Sequence, residues 1–136
     1  MAFWLKRWGT GDDPYRDDML VDHLSFSDRS APRGIPKVHK GDLLIVTGVK
    51  THGALVAAAR ATSEVWDTGT NSQWHWHCAA DFYFKVPMAS APALDSIPDS
   101  DGVLPGWLRT GDGLRELTDE QYRAAEAAIK RAMAST

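Results

Sequence analysis

"KGDLLIVTGVKTHGALVAAARATSEVW", residues 40–66, decides how this chain is built. Lys40-Gly41-Asp42 is a turn, and residues 43–46 are a continuous apolar run bounded by turn residues, which reads as a buried strand. "KTHG" then makes a tight connection, with Gly53 able to take positive φ. The alanines that follow favour a helix by intrinsic propensity. Hairpin geometry before them and a β-branched end after them favour a strand, and a strand is the reading adopted.

Working outward, "DTGTN" at residues 67–71 is a turn. "QWHWHC" and "DFYFKV" are the next strands, or one strand with a bulge at Ala79-Ala80. Upstream, residues 2–8, "AFWLKRW", read as a first strand, with Phe3, Leu5 and Arg7 on one face and Trp4, Lys6 and Trp8 on the other. "GTGDDP" breaks it, and Asp13-Pro14 predicts a short helix over residues 14–23. Residues 25–37 are dense in Ser, Pro and Gly and read as a loop, as does most of 87–113. A helix is predicted at about 118–134. Thr118 and Gln121 form its capping box, and Leu117, Tyr122, Ala125 and Ile129 lie along one stripe. Strands joined by tight turns with helices at the edges imply a single α+β domain over residues 1–136, a small curled sheet or barrel.

Composition narrows the function. The 136 residues suit one core, and 43% apolar with 24% charged residues is ordinary for a globular protein. Six tryptophans are many, and suggest stacking surfaces as well as core. A net charge of −3 argues against broad, charge-driven nucleic-acid binding. The charges are segregated, however. Asp12, Asp13, Asp17, Asp18 and Asp22 precede a basic stretch of Arg29, Arg33, Lys37 and Lys40, and Asp95, Asp99 and Asp101 follow later. One cysteine excludes an internal disulfide and a four-cysteine zinc site. No run is long enough for a signal peptide or a membrane span, so the expected setting is a reducing cytoplasm.

His75 and His77 share a strand face at i and i+2, a spacing that can ligate one metal. Glu64, Asp67, Asp81, His39 and His52 stand at no spacing that compels a third ligand. The bland reading, two half-exposed histidines on a polar strand face, is preferred, and a small metal-dependent enzyme built on this pair is the alternative. Cys78 has no flanking signature of a nucleophile and reads as a small buried residue. Phosphate loops and dinucleotide fingerprints are absent. "SFSDRSAPRGIPKVHKGD", residues 25–42, joins serines, an aspartate and cations directly before a buried strand. Beside an aromatic pocket, such a loop has what a flipped or single-stranded base needs: rings to stack on, polar groups for its edge and cations for its phosphates.

"FWLKRW", then "KGDLLIVTGV", a hairpin through "THGALVAAARATSE" and the aromatic strand "FYFKVP" together resemble the EVE domain, and more distantly the YTH domain, of the PUA-like superfamily. The resemblance covers residues 2–98. It implies a small mixed or antiparallel β-barrel with flanking helices, no cofactor and no catalysis. It also implies an aromatic cage for a modified base, methylated cytosine or adenine, in DNA or RNA. Carried over, the pocket comprises Arg7, Trp8 and Gly9, then Phe26, Ser27 and Asp28, then Thr47 and Gly48, with Trp66 or Trp74 as the second cage aromatic. Arg29, Arg33, Lys37 and Lys40 would meet phosphates. Many relatives open with Tyr-Trp and a later "KSEP"-like turn, where "KRWGTGDDP" stands here, and carry tryptophan where this chain has Phe26.

Overall fold

The structure, a computed structural model, describes residues 1–9, 14–26, 35–49, 53–71, 74–98 and 113–135. Its strands are β1 (Phe3–Trp8), β2 (His23–Phe26), β3 (Leu43–Val49), β4 (Gly53–Ala61), β5 (Trp66–Asp67), β6 (Trp76–Lys85) and β7 (Leu114–Leu117). One long helix, α1 (Asp119–Ala134), follows, and short 3-10 turns lie at Asp17–Met19, Met88–Ser90 and Leu94–Ser96. The strands form one seven-stranded sheet in the order β2-β6-β4-β3-β1-β7, with β5 paired to β6. β1 and β3 run parallel, and every other described pairing is antiparallel. The fold is thus α+β, a mixed sheet curled into a half-barrel with its helix at the C-terminal end of the chain.

Two irregularities help the sheet curl. β4 carries an extra residue where Val46 pairs with Ala57 but Thr47 pairs with Leu55. β6 carries one where Ala58 pairs with Phe84 but Arg60 pairs with Asp81. The second bulge falls at Phe82 and Tyr83 rather than at the expected Ala79-Ala80, and residues 76–85 form one continuous strand.

The sheet is covered on both faces. One face packs Leu5, Ile45, Leu55 and Ala58 under Tyr122, Ala125 and Ile129 of α1. The face turned away from α1 packs Trp4, Leu44, Val46, Val56, Ala57 and Cys78 with Tyr15, Leu20, Leu24 and Phe26. Double burial explains the alanines of β4: Ala54, Ala57, Ala58, Ala59 and Ala61 are all buried at the centre of the sheet, where small side chains let both layers approach. α1 starts as the sequence predicts, with the Gln121 amide donating to Thr118 Oγ1 at 3.1 Å and the Thr118 amide donating to Gln121 Oε1 at 3.0 Å.

Asp42 ties the start of β3 to the start of β1. Its carboxylate accepts from the Ala2 amide at 2.9 Å, the His39 amide at 2.9 Å and the Trp4 indole at 3.0 Å. Burial pushes this carboxyl up, but the hydrogen bonds from Ala2, His39 and Trp4 outweigh it and hold it below the usual carboxylate range.

Three expectations need correction. The helix over 14–23 does not form, and only the single turn Asp17–Met19 does. Tyr15 and Leu20 are both fully buried in the same cluster. Five residues apart on a helix they would point about 140° from each other, so extended chain on either side of a turn serves them better. Gly53 is not a turn residue but the first residue of β4, paired with Val49. Leu117 belongs not to the helix stripe but to β7, where it pairs with Phe3.

Candidate functional site

The face of the sheet turned away from α1 carries the aromatic residues of interest. Strand alternation puts Trp4, Lys6 and Trp8 on the face away from α1, as expected. β2 brings Phe26 to this side, opposite Trp76, and Trp74 stands just before β6. Trp8, Phe26 and Trp74 do converge, and what they converge on is a side chain of the protein itself. Lys6 Nζ lies 5.4 Å from the Trp8 ring centroid, 5.3 Å from Phe26 and 5.5 Å from Trp74. Lys6 is 1% exposed and donates to the Arg7 carbonyl at 2.6 Å. Burial, helped by the charge of Arg7 and opposed by Cys78, pushes its amine down to about 7. The ring faces favour the ammonium. Phe26 is fully buried within β2, whereas Trp8 and Trp74 are half-buried and reach the surface. The expected loop aromatic is therefore a strand residue forming the floor of the box.

Gly9 follows Trp8 and Gly48 pairs with it. Gly9 and Gly48 form the seat of Tyr15: a Cβ on Gly48 would come within 2.7 Å of the Tyr15 ring. A Cβ on Gly9, whose φ is +97°, would lie 2.5 Å from the Tyr15 amide nitrogen. Thr47 is buried on the side of β3 opposite Val46, and its hydroxyl has no hydrogen-bond partner among the described residues. Thr47 therefore does not face the box. Arg7 is on that side of β1 too, and its amide donates to the Gly113 carbonyl at 2.8 Å. Ser27, Asp28, Arg29 and Arg33 lie outside the described residues. Lys37 and Lys40 are exposed just before β3 begins. Trp8 pairs with Gly48 near the far end of that strand. Five residues of β3, about 17 Å of strand, separate Leu43 from Gly48, the partner of Trp8.

Trp66 belongs to a second aromatic group on the outer side of β2, β5 and β6. It is 44% exposed and meets the His77 ring edge-on at 6.0 Å. His77 stacks on His23 at 4.9 Å, and its Nε2 is 3.1 Å from Ser25 Oγ. Burial and then the neighbouring His23 push the His77 ring below its ordinary pKa, against a hydrogen bond to the Trp74 backbone. His75 instead pairs its Nδ1 with Asp67 Oδ1 at 2.9 Å. The two histidines thus engage different partners. No group of three or more His, Cys, Asp or Glu among the described residues is placed to hold a metal ion. Cys78 is buried, and burial pushes its thiol up to about 12, against the nearby Lys6, which leaves it no nucleophilic character near neutrality. No helix among the described residues is long and apolar enough to cross a membrane.

Lys6 is the residue that reasoning from sequence missed. The signal was its place between Trp4 and Trp8 on the tryptophan face of β1.

No protein-family profile and no curated protein matches this chain. Solved structures do. It is similar to a hypothetical protein from Leishmania major, with a TM-score of 0.64 at 9% identity over 98% of this chain and 97% of that one. It is also similar to a protein from Rhodopseudomonas palustris solved by NMR, with a TM-score of 0.59 at 15% identity over 100% and 96% of the two chains. A crystal structure of a Pseudomonas syringae protein gives a TM-score of 0.60 at 12% identity over 94% and 99%. These likenesses extend over nearly the whole length of each partner and establish the fold.

Proposed function

We propose that this chain is a non-catalytic binding module of the EVE type that reads a modified nucleobase, methylated cytosine or adenine, in DNA or RNA. The observation that carries the reading is the clustering of Trp8, Phe26 and Trp74 around the buried Lys6 Nζ, 5.3–5.5 Å from each ring centroid, with Trp8 and Trp74 half-buried at the surface. These residues come from separate parts of the chain, and no single local motif would assemble them. The half-buried rings of Trp8 and Trp74 offer stacking surface, worth roughly 1–3 kcal/mol per ring. A methyl group recognised by exclusion of water adds about 0.8 kcal/mol, so discrimination is modest and rests on the base being fixed first. With a net charge of −3, the phosphates contribute through local cations rather than overall attraction.

Titration with matched oligonucleotides, methylated and unmethylated, single- and double-stranded, tests this at two salt concentrations. A preference for the modified strand that is lost in Trp8→Ala and Trp74→Ala supports the reading. Equal affinity for all strands, set by salt alone and indifferent to these substitutions, overturns it.

A further inference from the structure

The outer histidines stand one step from the aromatic box. Ser25 precedes Phe26 on β2 and pairs with His77, while Phe26 itself pairs with Trp76. The His77 ring serves two partners: it donates to the Trp74 backbone, and its Nε2 lies 3.1 Å from Ser25 Oγ. A neutral imidazole fits both at once, with one nitrogen as donor and Nε2 as acceptor from the hydroxyl. Trp74 stands just before β6, so this ring ties a box residue to the strand that follows it. The face of His77 is stacked on His23 at 4.9 Å, with 21° between the ring planes. Protons reach both rings, since the His23 side chain is 40% exposed and His77 is half-buried. Asp22 Oδ1 lies 3.0 Å from His23 Nδ1 and balances a charge there. Asp67 is engaged by His75 at 2.9 Å, and no carboxylate meets His77 among the described residues. From β1 the cation facing Trp74 is Lys6, 5.5 Å from its ring. A second positive charge on the stack is therefore left without local compensation. Burial, and then His23, already oppose a charge on His77.

We propose that the His23–His77 stack is a proton-operated latch on Trp74, regulating the box to which base reading is assigned above. With His77 neutral, its ring holds the Trp74 backbone and the box is assembled. With both imidazoles charged, like charges stacked this closely repel. His77 then leaves its place against His23, and the Trp74 backbone loses its donor. Trp74 is freed from Lys6 and from Phe26, and one of the two half-buried stacking rings is withdrawn. The effect on oligonucleotides rests on the base-reading proposal, whereas the latch rests on the contacts around His77 alone.

The experiment uses the whole chain carrying fluorotryptophan, read by fluorine NMR, with the Trp74 line assigned by its loss in Trp74→Phe. His77 is followed in parallel by its ring proton signal. As pH is lowered from about 8 to about 5, the Trp74 line should shift in step with His77, with a midpoint below the ordinary histidine value of about 6.5. Lys6 faces the same ring and gives a separate step at about 7, common to every variant. His77→Gln, which keeps a neutral donor, should abolish the lower step. His23→Gln should leave His77 titrating, at higher pH, while Trp74 no longer follows it. The remaining tryptophan lines show that each variant is folded, and either variant alone decides the matter. Affinity for the methylated oligonucleotide should fall about tenfold from pH 7.5 to pH 5.5 in wild type relative to His77→Gln, the loss of one stacking ring. A Trp74 line that moves as described supports the latch even if no oligonucleotide binds, a result that overturns base reading alone. A wild-type Trp74 line with no lower step overturns the latch, as does a lower step that persists in His77→Gln. A Trp74 line that still follows His77 in His23→Gln also overturns it, because the line then reports charge without release.

Discussion

Replacing Lys6 with methionine should alter how stability depends on pH. In the folded chain the amine lies at about 7, against 10.5 for an ordinary lysine. Between those values the unfolded chain binds more protons than the folded one, so wild-type stability rises with pH across the window. Below about 7 the burial cost is felt in full, and it fades as the unfolded amine also becomes neutral. Linkage puts the gain from pH 7 to pH 8.5 at roughly 1–2 kcal/mol, with the attraction of the three ring faces for the ammonium acting to reduce it. The upper end of the range is set by Cys78, whose buried thiol is pushed up to about 12. Above its ordinary pKa of about 8.5 the unfolded thiol ionises first, which offsets the gain from Lys6 and flattens the curve. Lys6→Met retains the stem volume and removes the amine. Urea unfolding followed by tryptophan fluorescence, run on both proteins at each pH, isolates Lys6 in the difference, since the remaining groups titrate in both. Lys6→Met should be the more stable protein at pH 7, and its advantage should shrink by roughly 1–2 kcal/mol by pH 8.5. A difference that does not vary with pH, or a variant weaker than wild type throughout, would refute the assignment of a buried, easily deprotonated amine.

Asp42→Asn should destabilise the fold by about 2–4 kcal/mol in chemical denaturation, because an amide cannot accept from the Ala2, His39 and Trp4 donors as a carboxylate does. The carboxyl is held low in the folded chain, so its contribution is fully present above the unfolded value near 4 and is lost as pH falls through that value to the folded one. An Asp42→Asn protein with wild-type stability at neutral pH would remove Asp42 from that role. Gly48→Ala should cost about 1–3 kcal/mol, since its Cβ would press on the Tyr15 ring at 2.7 Å. Tyr15→Leu in the same chain should recover part of the loss, which a double-mutant cycle measures. Trp66→Ala should leave oligonucleotide affinity within about twofold, because Trp66 stands on the outer side of the sheet by His77. A loss as large as that of Trp74→Ala would relocate the binding surface.

Much of the fold was legible because it depends on patterns with short range. Residues 43–46 announce a buried strand by apolarity alone, and β3 extends to Val49 with only that last residue half-exposed. The capping box at Thr118 fixes the start of α1 to the residue. What escaped depends on distant partners. "LREL" becomes β7 only because the edge of β1 is there to pair with it. Residues 14–23 give up a helix because Tyr15 and Leu20 must enter one core together. The same division runs through the candidate site. Alternation alone placed Trp4, Lys6 and Trp8 on one face, and it chose correctly. It could not say that this face would be enclosed by Phe26 and Trp74, because both are brought in by pairings many residues away. A lysine between two tryptophans on an exposed edge would stretch its ammonium to water and mean nothing. The same lysine enclosed by these rings has its charge opposed by burial and partly restored by the rings. The aromatic residues and the amine are therefore one chemical unit, and any ligand that enters among the rings must deal with Nζ.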